Sequence, residues 1–188
     1  MAVGLSSPQA SSPNGVVISF SSKAANLQSG PAEAIRQGIR EAQARYYRLV
    51  LVVGPAGSGK TTALAGCNAG SPTPSLHLGS ALGARLLELS RRQRALQVQS
   101  LLETLLDETG ADPVALDNLE ILFDPALQQD VLRLLQGLSR NRTLVAAWPG
   151  TYVDGILSYA EPGHPEHVRY PEPEAVIVAF SPPGTPTP

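Results

Sequence analysis

Hydrophobic positions along the chain change period several times, and the changes mark out alternating helices and strands. Pro31 suits a first helical turn, and Ile35, Ile39, Ala42 and Tyr46 follow at helical spacing. Arg48–Val53 (RLVLVV) is a short apolar, β-branched run, which predicts a buried strand. A helix is expected from Gly59 to about Ala69, and a short strand over Ser75–Leu78 (SLHL). Val98, Leu101, Leu102, Leu105 and Leu106 form one helix face that stops at Gly110. Val114–Leu116 reads as a strand ending at Asp117, with Pro113 tolerable only at its start. Leu127, Val131, Leu134, Leu135 and Leu138 predict another amphipathic helix. Thr143–Trp148 (TLVAAW) and Ala175–Phe180 (AVIVAF) are the last two predicted strands.

Strands separated by helical runs imply right-handed βαβ units, so the expected class is α/β, a parallel sheet with helices on both faces. Residues 1–25 and 181–188 are Ser- or Pro-rich and too poor in apolar groups to offset their ordering entropy. They are read as disordered flanks of one domain spanning 30–180.

A chain of 188 residues with 43% hydrophobic residues is large enough to bury a core without staples. The formal net charge of −2 gives no global basic footprint for nucleic acid, although it leaves room for a local patch. Cys67 is the only cysteine, which excludes a disulfide framework, and its place on the expected helix after the glycine-rich segment makes it a packing residue. Met1–Asn14 has no basic residue and no apolar stretch of the secretory kind, and Leu49–Val53 is far too short to span a bilayer. A cytoplasmic address without membrane contact is the default expectation.

The chemistry concentrates in Gly54-Pro55-Ala56-Gly57-Ser58-Gly59-Lys60-Thr61, which fits G-x-x-x-x-G-K-[ST] between a strand and a helix. Glycines let the backbone curl so that successive N–H groups face an anion, and the helix that follows turns its positive end to the same place. Lys60 would then meet the β- and γ-phosphates of ATP, the Thr61 hydroxyl would ligate Mg²⁺, and Thr62 would extend the contact. Asp117, at a strand end, suits the second Mg²⁺ anchor. A water-activating group is also required. Most ATPases that have an added strand in the sheet place Glu directly after that Asp. Here Asn118 stands there and Glu120 follows two residues later, so reach favours Glu120 if the chain turns tightly.

Other phosphate-loop classes fit less well. No N-K-x-D motif of a GTPase is present. Arg85, Arg91, Arg92 and Arg94 suggest the lid of a small-molecule kinase, but no acid ends the SLHL strand. Arg91–Arg94 is otherwise a solvated loop that could touch nucleic-acid phosphates. Arg140 and Arg142 flank a helix–strand junction with no acidic partner in the adjacent sequence. They are helix-end cations or arginine fingers offered to a neighbouring subunit. Thr151 is the one residue after Trp148 with the chemistry of a γ-phosphate sensor. His164-Pro165-Glu166-His167 lacks a third ligand nearby and reads as a solvated loop.

The segments GPAGSGKT, LDNLEILFDPALQQD, LLQGLSRNRTLVAAWPG and AEPGHPEHVRY together resemble the BrxF-type P-loop proteins of type 3 bacteriophage-exclusion (BREX) systems. The similarity covers about residues 30–180. It implies a small AAA-like ATPase working with other defence proteins, its phosphate-binding role carried by Gly54–Thr61 and its Walker B acid by Asp117. The expected architecture ends after the last strand without a C-terminal helical lid, which removes part of the usual subunit interface and points to function through partners, with a homo-oligomer also expected. Two functions stay open on the residues: an ATP-hydrolysing subunit, or an ATP-binding scaffold with little hydrolysis of its own.

Overall fold

The computed structural model describes residues 17–20, 30–66 and 75–180. Strands β1 (Val17–Phe20), β2 (Leu49–Val53), β3 (Ser75–His77), β4 (Val114–Asp117), β5 (Leu144–Trp148) and β9 (Val176–Phe180) form one sheet in the order β1-β9-β2-β5-β4-β3. Every neighbouring pair in it is parallel. Between the strands run α1 (Pro31–Ala42), α2 (Lys60–Gly66), α3 (Leu78–Leu87), α4 (Arg91–Thr109) and α5 (Val131–Leu138). Strands β6 (Gly150–Val153), β7 (Ile156–Tyr159) and β8 (Val168–Pro171) make a second, antiparallel sheet.

Alternation along β2 explains the layering. Leu49, Leu51 and Val53 join the apolar cluster under α3, α4 and α5, while Val50 and Val52 join the one under α1 and α2. All five are buried, because a central parallel strand is covered on both faces and needs apolar side chains on each. The sheet therefore carries helices on both sides, as the periodicity predicted. Helix α4 starts from a reciprocal cap between Ser90 and Gln93 and stops at Gly110 in the left-handed conformation.

Three expectations need correction. Residues 17–20 fall in the segment read as disordered, yet they pair with β9 as an edge strand, a β-branched run short enough to be overlooked. Helix α1 ends at Ala42, four residues before Tyr46, which stands 71% exposed outside the helix face assigned to it. No strand was expected over residues 150–171, where the second sheet lies. The segments 1–16 and 181–188, the end of the helix predicted to Ala69, and Cys67 lie outside the described residues.

Candidate functional site

Because the strands of the main sheet are parallel and in register, their carboxyl ends share one edge. Val53 pairs with Trp148 and with Ala179, and His77 pairs with Asp117. The glycine-rich loop Gly54–Gly59 leaves β2 at this edge and runs into α2 at Lys60. Gly57 and Gly59 have φ of 75° and 87°, values at which a β-carbon is strained, so the curl of the loop depends on them. Thr61 and Thr62 are exposed on the first turn of α2.

Lys60 folds back over the loop. Its Nζ donates to the carbonyl oxygens of Gly54 at 2.6 Å and Pro55 at 2.8 Å. Burial of the ammonium lowers its pKa from the usual lysine value, and the charges of Glu120 and Asp117 oppose that shift. Both acids therefore act electrostatically on the loop lysine.

Strand β5 lies between β2 and β4, which separates the loop from Asp117 by two strand spacings, roughly 10 Å. Asp117 is buried. Its Oδ1 accepts the N–H of Asn118 at 3.0 Å, while Oδ2 is buried without a hydrogen-bond partner. An unpartnered carboxylate oxygen in the interior is costly unless something polar meets it. His77 Nδ1 is the nearest cation-forming group, at 4.0 Å. Asn118 takes a left-handed conformation with φ of 58°, and Leu119–Phe123 follow as a tight 3-10 turn carrying the exposed Glu120. The tight turn that Glu120 needed is present.

The second sheet rises directly from the same edge. Gly150 begins it two residues after Trp148, and a β-carbon there would lie 1.9 Å from the Ser158 carbonyl oxygen. Trp148 Nε1 donates to that carbonyl at 2.9 Å. Phe123, three residues beyond Glu120, stacks on Tyr159 with ring centroids 3.8 Å apart and meets Trp148 edge-on at 5.1 Å. Tyr170 closes the group against Trp148 at 5.9 Å. This aromatic cluster ties the Glu120 turn to the small sheet. Tyr159 is pushed up to about 12 by burial, then by the charge and hydrogen bond of Glu166, with a further contribution from Glu120. Sequence reading missed the sheet, although Asp154-Gly155 between β-forming runs is a hairpin signal, and both residues have positive φ.

Other expected site residues lie elsewhere. Arg140 and Arg142 stand before β5, at the amino edge, about five residues or roughly 17 Å of strand away from the loop. Arg142 pairs with Asp107, so it does have an acidic partner, one 35 residues distant and unreadable locally. Arg140 lies over the rings of Tyr46 and Tyr47. Neither is brought to the loop of its own chain. Arg85 is paired with Glu108 and Arg94 donates to the Leu89 carbonyl. Arg91–Arg94 form the first turn of α4 and not a loop, because the Ser90 cap starts the helix there, and Arg91 and Arg92 line an open groove of about 540 Å³ with Leu96, Pro125 and Gln128. The Thr151 hydroxyl bonds that of Ser158 at 2.8 Å, within the small sheet. His167 Nδ1 faces the carbonyls of Tyr159 and Ala160, and His164 Nδ1 accepts the Glu166 N–H. Among the described residues no group of three or more His, Cys, Asp or Glu side chains could hold a metal ion, and no helix is long and apolar enough to cross a membrane.

A curled glycine loop with a lysine inside it, an orphaned carboxylate oxygen and a second acid nearby can hold a polyphosphate, its counter-cation and a water. Comparison with models of known protein families, with curated proteins and with solved structures returns no match.

Proposed function

We propose that the chain is a P-loop ATPase that binds Mg-ATP at Gly54–Thr61 and hydrolyses it. The observation that carries this reading is the gathering, at one sheet edge, of a strand–loop–helix with Lys60 turned into the loop and of Asp117 with an unpartnered buried oxygen. The residues fit the group they would hold. Lys60 spends its donors on loop carbonyls, contacts that a phosphate oxygen can replace with a gain in charge. The loop N–H groups and the start of α2 present positive ends to an anion.

Mg²⁺, when bound, supplies charge neutralisation for the β- and γ-phosphates. Thr61 and Asp117 would hold it, Asp117 through water. Glu120 is the acid suited to taking a proton from the attacking water, since its turn sits beyond Asp117 and its charge acts on Lys60. The aromatic packing of Phe123 against Tyr159 fixes that turn.

A second reading has its own observation. Asn118, not an acid, follows Asp117, and Glu120 is exposed, so the same site would bind ATP while hydrolysing it slowly and serve as a docking scaffold. Membership of a phage-exclusion system rests on the sequence resemblance alone.

Lys60→Ala tests the shared core of both readings. At Mg-ATP of about 100 times Kd, the wild type should gain roughly 2.7 kcal/mol of stability, and the variant should gain none. An undiminished shift in the variant removes the proposal. Phosphate release by the wild type then separates enzyme from scaffold.

A further inference from the structure

The amino edge of the main sheet, opposite the glycine-rich loop, brings two short segments together. Arg45-Tyr46-Tyr47-Arg48 leads into β2, and Ser139-Arg140-Asn141-Arg142 leads towards β5. The Arg48 N–H donates to the Ser139 carbonyl and the Leu144 N–H to the Arg48 carbonyl, so the β2–β5 pairing holds them side by side. Arg48, Arg140, Tyr46 and Tyr47 thus share one patch.

Its geometry is specific. Tyr46 and Tyr47 meet edge to face, with centroids 4.8 Å apart. The Arg140 guanidinium lies over both rings, at 5.5 and 5.8 Å. Tyr46 is 71% exposed, which leaves it open to a further flat partner. Arg142 is satisfied by Asp107, and Arg48 approaches Asp112 at 3.8 Å. Arg140 has no carboxylate partner among the described residues, and its guanidinium lies over the two rings. Asp107 and Asp112 lie against Arg142 and Arg48, which leaves the Arg140 charge without a carboxylate in a chain whose net charge is −2.

Packing does not account for this arrangement. A phenol ring left mostly in water gains little apolar burial, and an exposed guanidinium with free N–H groups gains little from its own chain. Together they supply the two contacts that an unpaired strand of nucleic acid uses, a π-face for a base and cations for phosphates. A duplex offers the phosphates but keeps its bases stacked, which leaves the ring without a partner. The groove at Arg91 and Arg92 is also basic, but no aromatic ring lines it.

We propose that this amino-edge patch binds single-stranded nucleic acid, with a base on Tyr46 and backbone phosphates along Arg140 and Arg48. The site is separate from the nucleotide site, since it uses none of the residues gathered at the carboxyl edge.

Anisotropy of a labelled oligothymidylate, titrated with the full chain at several salt concentrations, tests it. The wild type should bind the single strand more tightly than a duplex of equal length or inorganic polyphosphate. Tyr46→Ala should weaken binding about tenfold with the salt slope unchanged, and Tyr46→Phe should restore it. Arg140→Ala should weaken binding and reduce the slope of log K against log salt by about 0.7, whereas Arg140→Lys should keep that slope. The double variant Arg91→Ala, Arg92→Ala should bind as the wild type does. All these positions are on the surface, and unchanged melting temperatures will verify the fold. No binding by the wild type, equal binding of polyphosphate, or wild-type affinity in both Tyr46→Ala and Arg140→Ala would overturn the proposal.

Discussion

Asp117 and Glu120 differ by three positions and by the work each can do. Asp117 is buried with one oxygen unpartnered, whereas Glu120 is exposed on a turn. Asp117→Asn should therefore weaken the Mg²⁺ dependence of ATP binding. Glu120→Gln should leave binding intact and slow phosphate release by ~10²–10⁴. If Glu120→Gln turns over normally while Asn118→Ala does not, the water is handled from position 118. At Gly150 the constraint is steric. A β-carbon 1.9 Å from the Ser158 carbonyl must move backbone, so Gly150→Ala should cost on the order of 2–4 kcal/mol in urea unfolding. The glycine loop and Asp117 were legible because their signals are local: an octapeptide, and an acid closing an apolar run. The Asp107 partner of Arg142 was not, since it comes from another helix across 35 positions.

Elements differ in the same way. The buried strands and α4 announce themselves by period and cap, and Ser90→Ala should cost about 1 kcal/mol through loss of the reciprocal cap. The small sheet is built from strands of four residues each, with few fully buried positions and no run of apolar residues that marks a core strand. Its identity comes from a hairpin turn and from long-range aromatic contacts, neither of which a periodicity count detects. Those contacts have a pH signature. Tyr159 and Tyr170 are both pushed up to about 12, first by burial, then by Glu166 and Asp130 respectively. Unfolded tyrosines ionise near 10, so the folded state holds these protons more tightly. The stability they contribute is present below pH ~10 and is lost as the pH rises towards ~12. Urea midpoints measured across that window should fall, and Tyr159→Phe, which keeps the ring stack, should make the fall shallower.

At the scale of the whole molecule, the alternation of helix and strand was enough for an α/β sheet covered on both faces. Strand order was not legible, because parallel neighbours are chosen by crossovers and not by adjacency in sequence. The position of β5 between β2 and β4 is the result that matters, as it opens the space between the loop and Asp117.

Strand β2 also has a consequence for how the two ends of the molecule communicate. It begins beside Arg48 and ends at Gly54, with five buried residues, four of them paired with a strand on both sides. Such a strand has no second register open to it, for a slip of one residue would exchange the side chains of two cores. Thermodynamic linkage between distant sites requires an element with two states that both ligands bias. β2 is a strut, not a switch. Mg-ATP at one edge should therefore change oligonucleotide affinity at the other by less than about twofold, and the effects of Lys60→Ala and Tyr46→Ala on stability should add within roughly 0.5 kcal/mol. A fivefold change in oligonucleotide affinity on adding Mg-ATP would show that the signal travels by another route, around the sheet and not through it.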